Sequence, residues 1–273
     1  MSRSTRRRRR IRTVVIQIAI IVVFLLLWEY LPRVPGITNV IPFADPYFIS
    51  SPSRIALTLW RLTTGADGSV LIWPYLLTTL IASLGGVLIG MASGALVGIW
   101  LSNSPSWNEV LRPFIVALNA VPRIALIPVF IIILGPTLNA TMLTAITVVF
   151  FIVFFNAYEG GRTVPREILN NTRVLGANKS QLMWRVRWRF VLAWTIASLP
   201  NAVSLGLISV VTAEILTGTA GMGRLIVNSV TTVDASVTFA VVVILSIVGV
   251  ILVGAAALVE KKWQHWWNPR EVE

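Results

Sequence analysis

Few side chains in this sequence are equipped to make or break bonds. Cysteine is absent and His265 is the single histidine, set beside Trp263, Trp266 and Trp267, which excludes thiol chemistry and cysteine or multi-histidine metal sites. No glycine is followed by lysine anywhere, so the chain cannot build the Gly-x-x-x-x-Gly-Lys-Ser/Thr loop that cradles ATP phosphates. No catalytic residue, metal or cofactor is expected. What remains are polar groups spaced to handle a solute without converting it. Asn119 and Arg123 stand four residues apart in an apolar stretch. Asn201, Ser204, Ser209 and Thr212 fall within about 140° of one another at 100° per residue, on one helix face. Glu214 is followed by Gly218, Gly221, Gly223 and Arg224.

An arginine at membrane depth costs about 2.5 to 3.5 kcal/mol on insertion scales, so Arg123 should face protein interior, water or headgroups. With Asn119 and the hydroxyl and amide face of the later helix it is a candidate for lining a polar path. The competing readings are a structural arginine near a boundary and interhelical hydrogen bonding. Glu214 is expected to pair with Arg224 across a glycine-rich turn.

These groups need helices to hold them. Of the 273 residues 56% are hydrophobic and 12% charged, and several apolar runs reach the roughly 20 residues that cross a bilayer as helix. The sequence predicts an all-α polytopic membrane protein with six spans, at about 13–31, 73–101, 113–134, 137–158, 191–216 and 239–258. Residues 1–12 form an Arg-rich tail, 13–31 a retained first helix without a small-x-small cleavage pattern, and 32–72 an external or interfacial segment. Pro32, Pro35, Pro42, Pro46 and Pro52 break that segment, with a short helix around 53–62. Residues 73–260 make a core of five helices with a polar loop at 158–190, and 261–273 a tail. The stretch 102–112 reads as a short polar turn. Gly86, Gly90, Gly94 and Gly98 recur every four residues, a seam that lets another helix backbone approach closely.

The formal charge of +12 would suggest nucleic acid in a soluble protein. Here seventeen of the twenty-three basic residues lie in residues 1–12, in the 158–190 loop and after Glu260. They mark cytoplasmic faces, with anionic membrane lipid as their partner and no nucleic acid. Both termini and the loop are therefore expected inside.

The loop holds Arg162, Arg166, Arg173, Lys179, Arg185, Arg187 and Arg189 against Glu159 and Glu167. Its apolar positions predict two short amphipathic helices meeting at Gly176. Its spacing, six residues from Asn170 to Gly176, then Ala177, then ten from the glycine to Val186, resembles the conserved cytoplasmic loop of ABC importer permeases. The stretches FISSPSRIALTLWRL and TAEILTGTAGMGRLI are similar to segments of the taurine, alkanesulfonate and nitrate branch. In that family the loop begins Glu-Ala-Ala and ends with an aliphatic pair and proline. Asn170, Asn171 and Thr172 occupy the first three positions here, and Arg189 the proline position.

The resemblance implies a type I ABC importer permease fold in the cell inner membrane. It also implies three partners: a cytoplasmic ATP-binding-cassette ATPase that seats the loop, an extracytoplasmic substrate-binding protein, and a second permease subunit, identical or a different chain. Glu214, Gly221, Gly223 and Arg224 would form its outer turn. Arg123 and Arg224, two arginines near the proposed path, lean toward a small organic or inorganic anion such as a sulfonate or nitrate as the cargo. The alternative cargo is a vitamin precursor such as a thiamine pyrimidine or riboflavin. From another class, an ion-coupled secondary transporter would show paired broken helices and buried ionisable groups near the midplane.

Overall fold

The computed structural model describes residues 3–30 and 46–263. The expectations for Pro32, Pro35 and Pro42, for the arginine side chains of residues 3–10, and for the tail with His265, Trp266 and Trp267 lie outside the described residues or side chains. Among the described residues the elements are helices joined by short turns. Five are long and apolar enough to cross a membrane, and a bent pair makes a sixth candidate. The chain is a multi-pass membrane protein.

It divides into two units, 1–72 with 225–243 and 73–224 with 244–273. In the first unit, α1 (Arg3–Tyr30) carries the first apolar run. After α2 (Pro46–Ile49), α3 (Pro52–Thr64) begins on a proline, which suits a first turn whose N–H groups lack helical partners. Glu29 takes over part of that role: it accepts hydrogen bonds from the Ser53 backbone N–H at 3.0 Å and from the Ser53 hydroxyl at 2.8 Å. The Trp28 and Phe239 rings meet edge to face, centroids 5.5 Å apart.

The second unit is built on two long helices, α4 (Trp73–Ser102) and α7 (Leu138–Arg162). The glycine seam lies between them. A Cβ on Gly86 would sit 2.5 Å from the Ala145 Cβ, on Gly94 2.6 Å from the Phe150 carbonyl oxygen, and on Gly98 2.8 Å from the Phe154 carbonyl oxygen. Two of these obstacles are backbone atoms, so only the absence of a side chain allows the approach.

Between these helices the expected third span is not continuous. α5 (Pro105–Asn119) and α6 (Ile127–Leu134) are separated by a 3₁₀ turn at Arg123–Leu126, and the pair bends by 86°. Pro122 and Pro128 lack the N–H groups that would have carried the helix through. The stretch expected as a polar turn at 102–112 is corrected too: Pro105 opens α5, which leaves only residues 103–104 as turn.

The fifth span is also divided. α8 (Arg166–Val174) and α9 (Lys179–Gln181) precede a π-helical stretch at Leu182–Arg187. That stretch runs directly into α10 (Trp188–Ala197). α11 (Leu199–Thr217) follows a break at Ser198, where Pro200 offers no N–H to the helix behind it. The apolar run from Val191 therefore holds two helices. α12 (Met222–Thr231) and α13 (Ala235–Trp263) complete the chain. The core of the second unit joins Val87, Val149, Val153, Ala202, Val203 and Ala256.

Candidate translocation and coupling sites

Arg123 sits where α5 and α6 part. Its guanidinium donates to the Asn119 Oδ1 and lies over the Phe151 ring, 5.3 Å from the centroid, a cation–π contact that shields one face of the charge. Its Nε–H is buried and has no hydrogen-bond partner among the described residues. A cavity of about 320 Å³ opens beside it, lined by Arg123, Thr144, Ser209 and Thr212 among the apolar side chains of α6, α7 and α11. Four of the six path candidates thus meet here, Asn119 through its bond to Arg123. Asn201 and Ser204 do not line the cavity, and Asn201 is exposed. Thr144 also lines the cavity, one of several threonines in α7 that the sequence does not single out; its hydroxyl is tied to the Ala140 carbonyl at 3.1 Å. The cavity presents one positive charge, apolar walls and three hydroxyl oxygens whose protons go to the Ala140, Gly206 and Ile208 carbonyls, with no carboxylate among its lining residues.

The outer turn differs from expectation. Glu214 does not pair with Arg224, which is exposed. The Glu214 side chain is fully buried at 0% exposure and accepts hydrogen bonds from the Thr79 hydroxyl at 2.8 Å and the Gly223 N–H at 2.9 Å. Thr79 in turn accepts from the Met222 N–H at 2.9 Å. The glycines explain the arrangement: a Cβ on Gly221 would lie 2.1 Å from the Glu214 carboxyl carbon, and one on Gly223 2.6 Å from the Glu214 Cβ. The turn folds back onto its own carboxyl group, leaving no room for a guanidinium. Buried N–H and O–H donors replace the ion pair. Nothing in the sequence pairs Thr79 with a residue 135 positions away.

On the loop, α8 ends at a left-handed glycine. Gly176 has φ +84°; its N–H reaches the Arg173 carbonyl at 2.9 Å, and the Ala177 N–H reaches the Thr172 carbonyl at 3.1 Å. This pair of bonds is the Schellman termination that glycine permits. The chain restarts through a capping box: the Gln181 N–H donates to the Asn178 Oδ1 at 2.8 Å and the Asn178 N–H to the Gln181 Oε1 at 3.0 Å. At the tip Val174 and Leu175 are 87% and 86% exposed. Asn170, Asn171 and Arg189 are exposed, Thr172, Ala177 and Val186 half-buried. With arginine at position 189 no proline interrupts the second short helix, which continues into α10.

The loop is anchored from behind. Arg187 donates to the Asn103 Oδ1, while the Asn103 Nδ2 donates to the Ile99 carbonyl at 2.7 Å. The Tyr158 hydroxyl donates to the Asn108 Oδ1 at 2.6 Å. Burial first, and the neighbouring Arg173 charge second, pull the Arg187 guanidinium below its usual pKa.

A family model for the inner membrane component of binding-protein-dependent transport systems matches residues 86–265. The formylaminopyrimidine transport permease protein of Halalkalibacterium halodurans is 27% identical, aligned over 89% of this chain and 92% of its own. The riboflavin transport system permease protein of Chloroflexus aurantiacus is 26% identical over 81% of each chain, and the taurine transport system permease protein of Escherichia coli 22% identical over 81% of each. Among solved structures, a chain of the MetNI methionine ABC transporter in an inward-facing conformation superposes with a TM-score of 0.54 at 19% identity, over 76% of this chain and 98% of that one. The fold is therefore that of a type I ABC importer permease, with ATP hydrolysis assigned to a separate subunit. By the span of the family match and the order of its helices, the chain belongs to the inner membrane components of binding-protein-dependent transport systems.

Proposed function

We propose that this chain forms the translocation path of an ATP-driven importer and takes its power stroke from an ATPase seated on the 158–190 loop. The observation that carries the reading is the loop itself. Its capped helices present Val174 and Leu175 almost fully to solvent, and it leads through the π-helical stretch and α10 toward α11, which lines the cavity. Movement imposed on the tip is thereby delivered to Ser209 and Thr212. Asn170, Asn171, Thr172, Gly176, Ala177, Val186 and Arg189 are the coupling positions. Asn119, Arg123, Ser209 and Thr212, now with Thr144, line the path. Glu214, Gly221 and Gly223 hold the outer turn.

The protein resides in the inner membrane with both termini cytoplasmic, beside an ATPase, a substrate-binding protein and a second permease subunit, identical or different. The cargo favoured by the single positive charge at Arg123 is a small anion such as a sulfonate or nitrate. The apolar walls of the cavity favour a second cargo, a vitamin precursor of the kind named for the formylaminopyrimidine and riboflavin relatives. Membership in a binding-protein-dependent family weighs against the ion-coupled carrier.

The test is affinity purification of the tagged chain co-expressed with its ATPase in detergent. The expected result is stoichiometric recovery of the ATPase, reduced by Gly176→Leu, because a side chain there is strained at positive φ. Recovery and uptake undiminished by Gly176→Leu would remove the glycine from the mechanism, and absence of the ATPase from the wild-type preparation would overturn the reading.

A further inference from the structure

Behind the exposed tip of the coupling loop lies a cleft of about 880 Å³ lined by Asn103, Arg173, Ala177, Asn178, Leu182, Met183 and Arg187. Its chemistry is one-sided. Two arginines and two asparagines contribute the polar groups, and no aspartate or glutamate is among the lining residues. Among the described residues Arg187 is held in place by a bond to Asn103, and its buried Nε–H finds no hydrogen-bond partner there. Burial raises the cost of keeping the Arg187 guanidinium charged, and the Arg173 charge adds repulsion to it. Two like charges sharing a partly desolvated cleft, one of them incompletely hydrogen-bonded, form an arrangement that an oxyanion would stabilise.

We infer that this cleft is a socket for a carboxylate side chain of the partner ATPase, so that the subunits engage through a positive loop and an acidic counterpart. The inference rests on the importer reading above. It specifies the chemistry of the docking partner.

The position of the cleft supports a protein carboxylate over a free ion. Arg173 immediately precedes Val174 and Leu175, the two most exposed apolar side chains of the loop. A protein surface that covers this apolar tip is brought against the cleft in the same movement. Charge complementarity agrees: the loop holds seven basic residues against Glu159 and Glu167, a field that attracts an acidic surface and repels a basic one. Asn103, at the cytoplasmic end of α4, ties the cleft to the helix that carries the glycine seam. A carboxylate entering beside Arg187 would therefore grip the loop and the long helix α4 together.

The experiment uses the complete permease with its ATPase. Arg173→Lys keeps the charge and introduces a primary amine at the mouth of the cleft. Treatment of that complex with a carbodiimide should join the new amine to a carboxylate by an amide bond, the carboxyl oxygen leaving in the urea by-product. Mass spectrometry of the peptides should place the link on an aspartate or glutamate of the ATPase. In parallel, Arg173→Gln should lower the affinity for the ATPase by about tenfold or more at low salt, with the variant still monodisperse since Arg173 is exposed. Raising the salt should narrow the difference between wild type and variant.

Links from position 173 exclusively to carboxylates of the permease, or ATPase recovery unchanged by Arg173→Gln, would sink the socket. So would inorganic phosphate that protects the wild-type permease from heating, in the absence of ATPase, and loses that effect with Arg173→Gln, since the cleft would then serve a free anion. These failures differ from failure of the importer reading, in which the wild-type chain does not retain the ATPase at all.

Discussion

Glu214 shows what a single residue contributes when burial removes its expected ionic partner. Its carboxyl group satisfies the Thr79 hydroxyl and the Gly223 N–H, so Glu214→Ala leaves the Gly223 N–H without its acceptor at a cost of about 1–3 kcal/mol, while the Thr79 hydroxyl keeps the Tyr75 carbonyl at 3.2 Å. The expected outcome is a midpoint of thermal unfolding in detergent lowered by several degrees. Glu214→Gln, which keeps the shape and one acceptor, should lose less. Gly221→Ala should resemble the alanine variant, because the added methyl would overlap the carboxyl carbon. Arg224→Gln should stay within about 0.5 kcal/mol of wild type, as for a surface change away from the buried network. Equal damage from Arg224→Gln and Glu214→Ala would restore the ion pair that the structure replaces with hydrogen bonds.

At the scale of elements, the contact between α4 and α7 is set by what the helices lack. Gly94→Ala would place a Cβ 2.6 Å from the Phe150 carbonyl oxygen, and a backbone atom in a hydrogen-bonded helix cannot turn aside. The helices must part, at a cost of about 1–3 kcal/mol for an overpacked site. Gly254 in α13 is the control: no atom of the described residues lies within 4 Å of its added Cβ, so Gly254→Ala should be neutral or stabilising by about 0.5–1 kcal/mol through helix propensity. Thermal unfolding of the two variants side by side checks the pair, and equal behaviour would show that the seam tolerates separation. The same scale holds the coupling path. Asn103 and Arg187 lie 84 residues apart, and a double-mutant cycle with Asn103→Ala and Arg187→Ala should return a non-additive term of about 0.5–3 kcal/mol, as for residues in direct contact.

For the molecule as a whole, the prediction concerns sides of the membrane. The chain has no cysteine, so one introduced thiol reports unambiguously. In intact cells a membrane-impermeant maleimide should label Val70→Cys, before α4, and spare Asn178→Cys on the loop until the membrane is opened. The reverse pattern would invert the topology and remove the loop from the ATPase side. The basis is the positive charge concentrated in three segments. A second measurement at this scale is uptake by cells carrying this permease, its ATPase and its binding protein. Since Asn170 and Arg189 depart from the family loop, full transport without any other permease would show that two copies of this chain suffice.

Composition alone determined that the protein crosses a membrane repeatedly, because a bilayer rewards apolar runs of fixed length wherever they fall in the sequence. Local pattern likewise located the glycine seam, the turn at Gly176 and the arginine-rich loop, since each depends on neighbours within a few turns of helix. The bend between α5 and α6 was within reach too: Pro122 and Pro128 announce it, but an apolar run of spanning length outweighed them. Long-range pairing was not legible. Thr79 with Glu214, Asn103 with Arg187, and Thr144 with Ser209 beside Arg123 are brought together by how close the helices lie. That closeness is set by backbone packing along the seam and by backbone donors in the turns, and neither tells which residue of a distant helix will lie opposite.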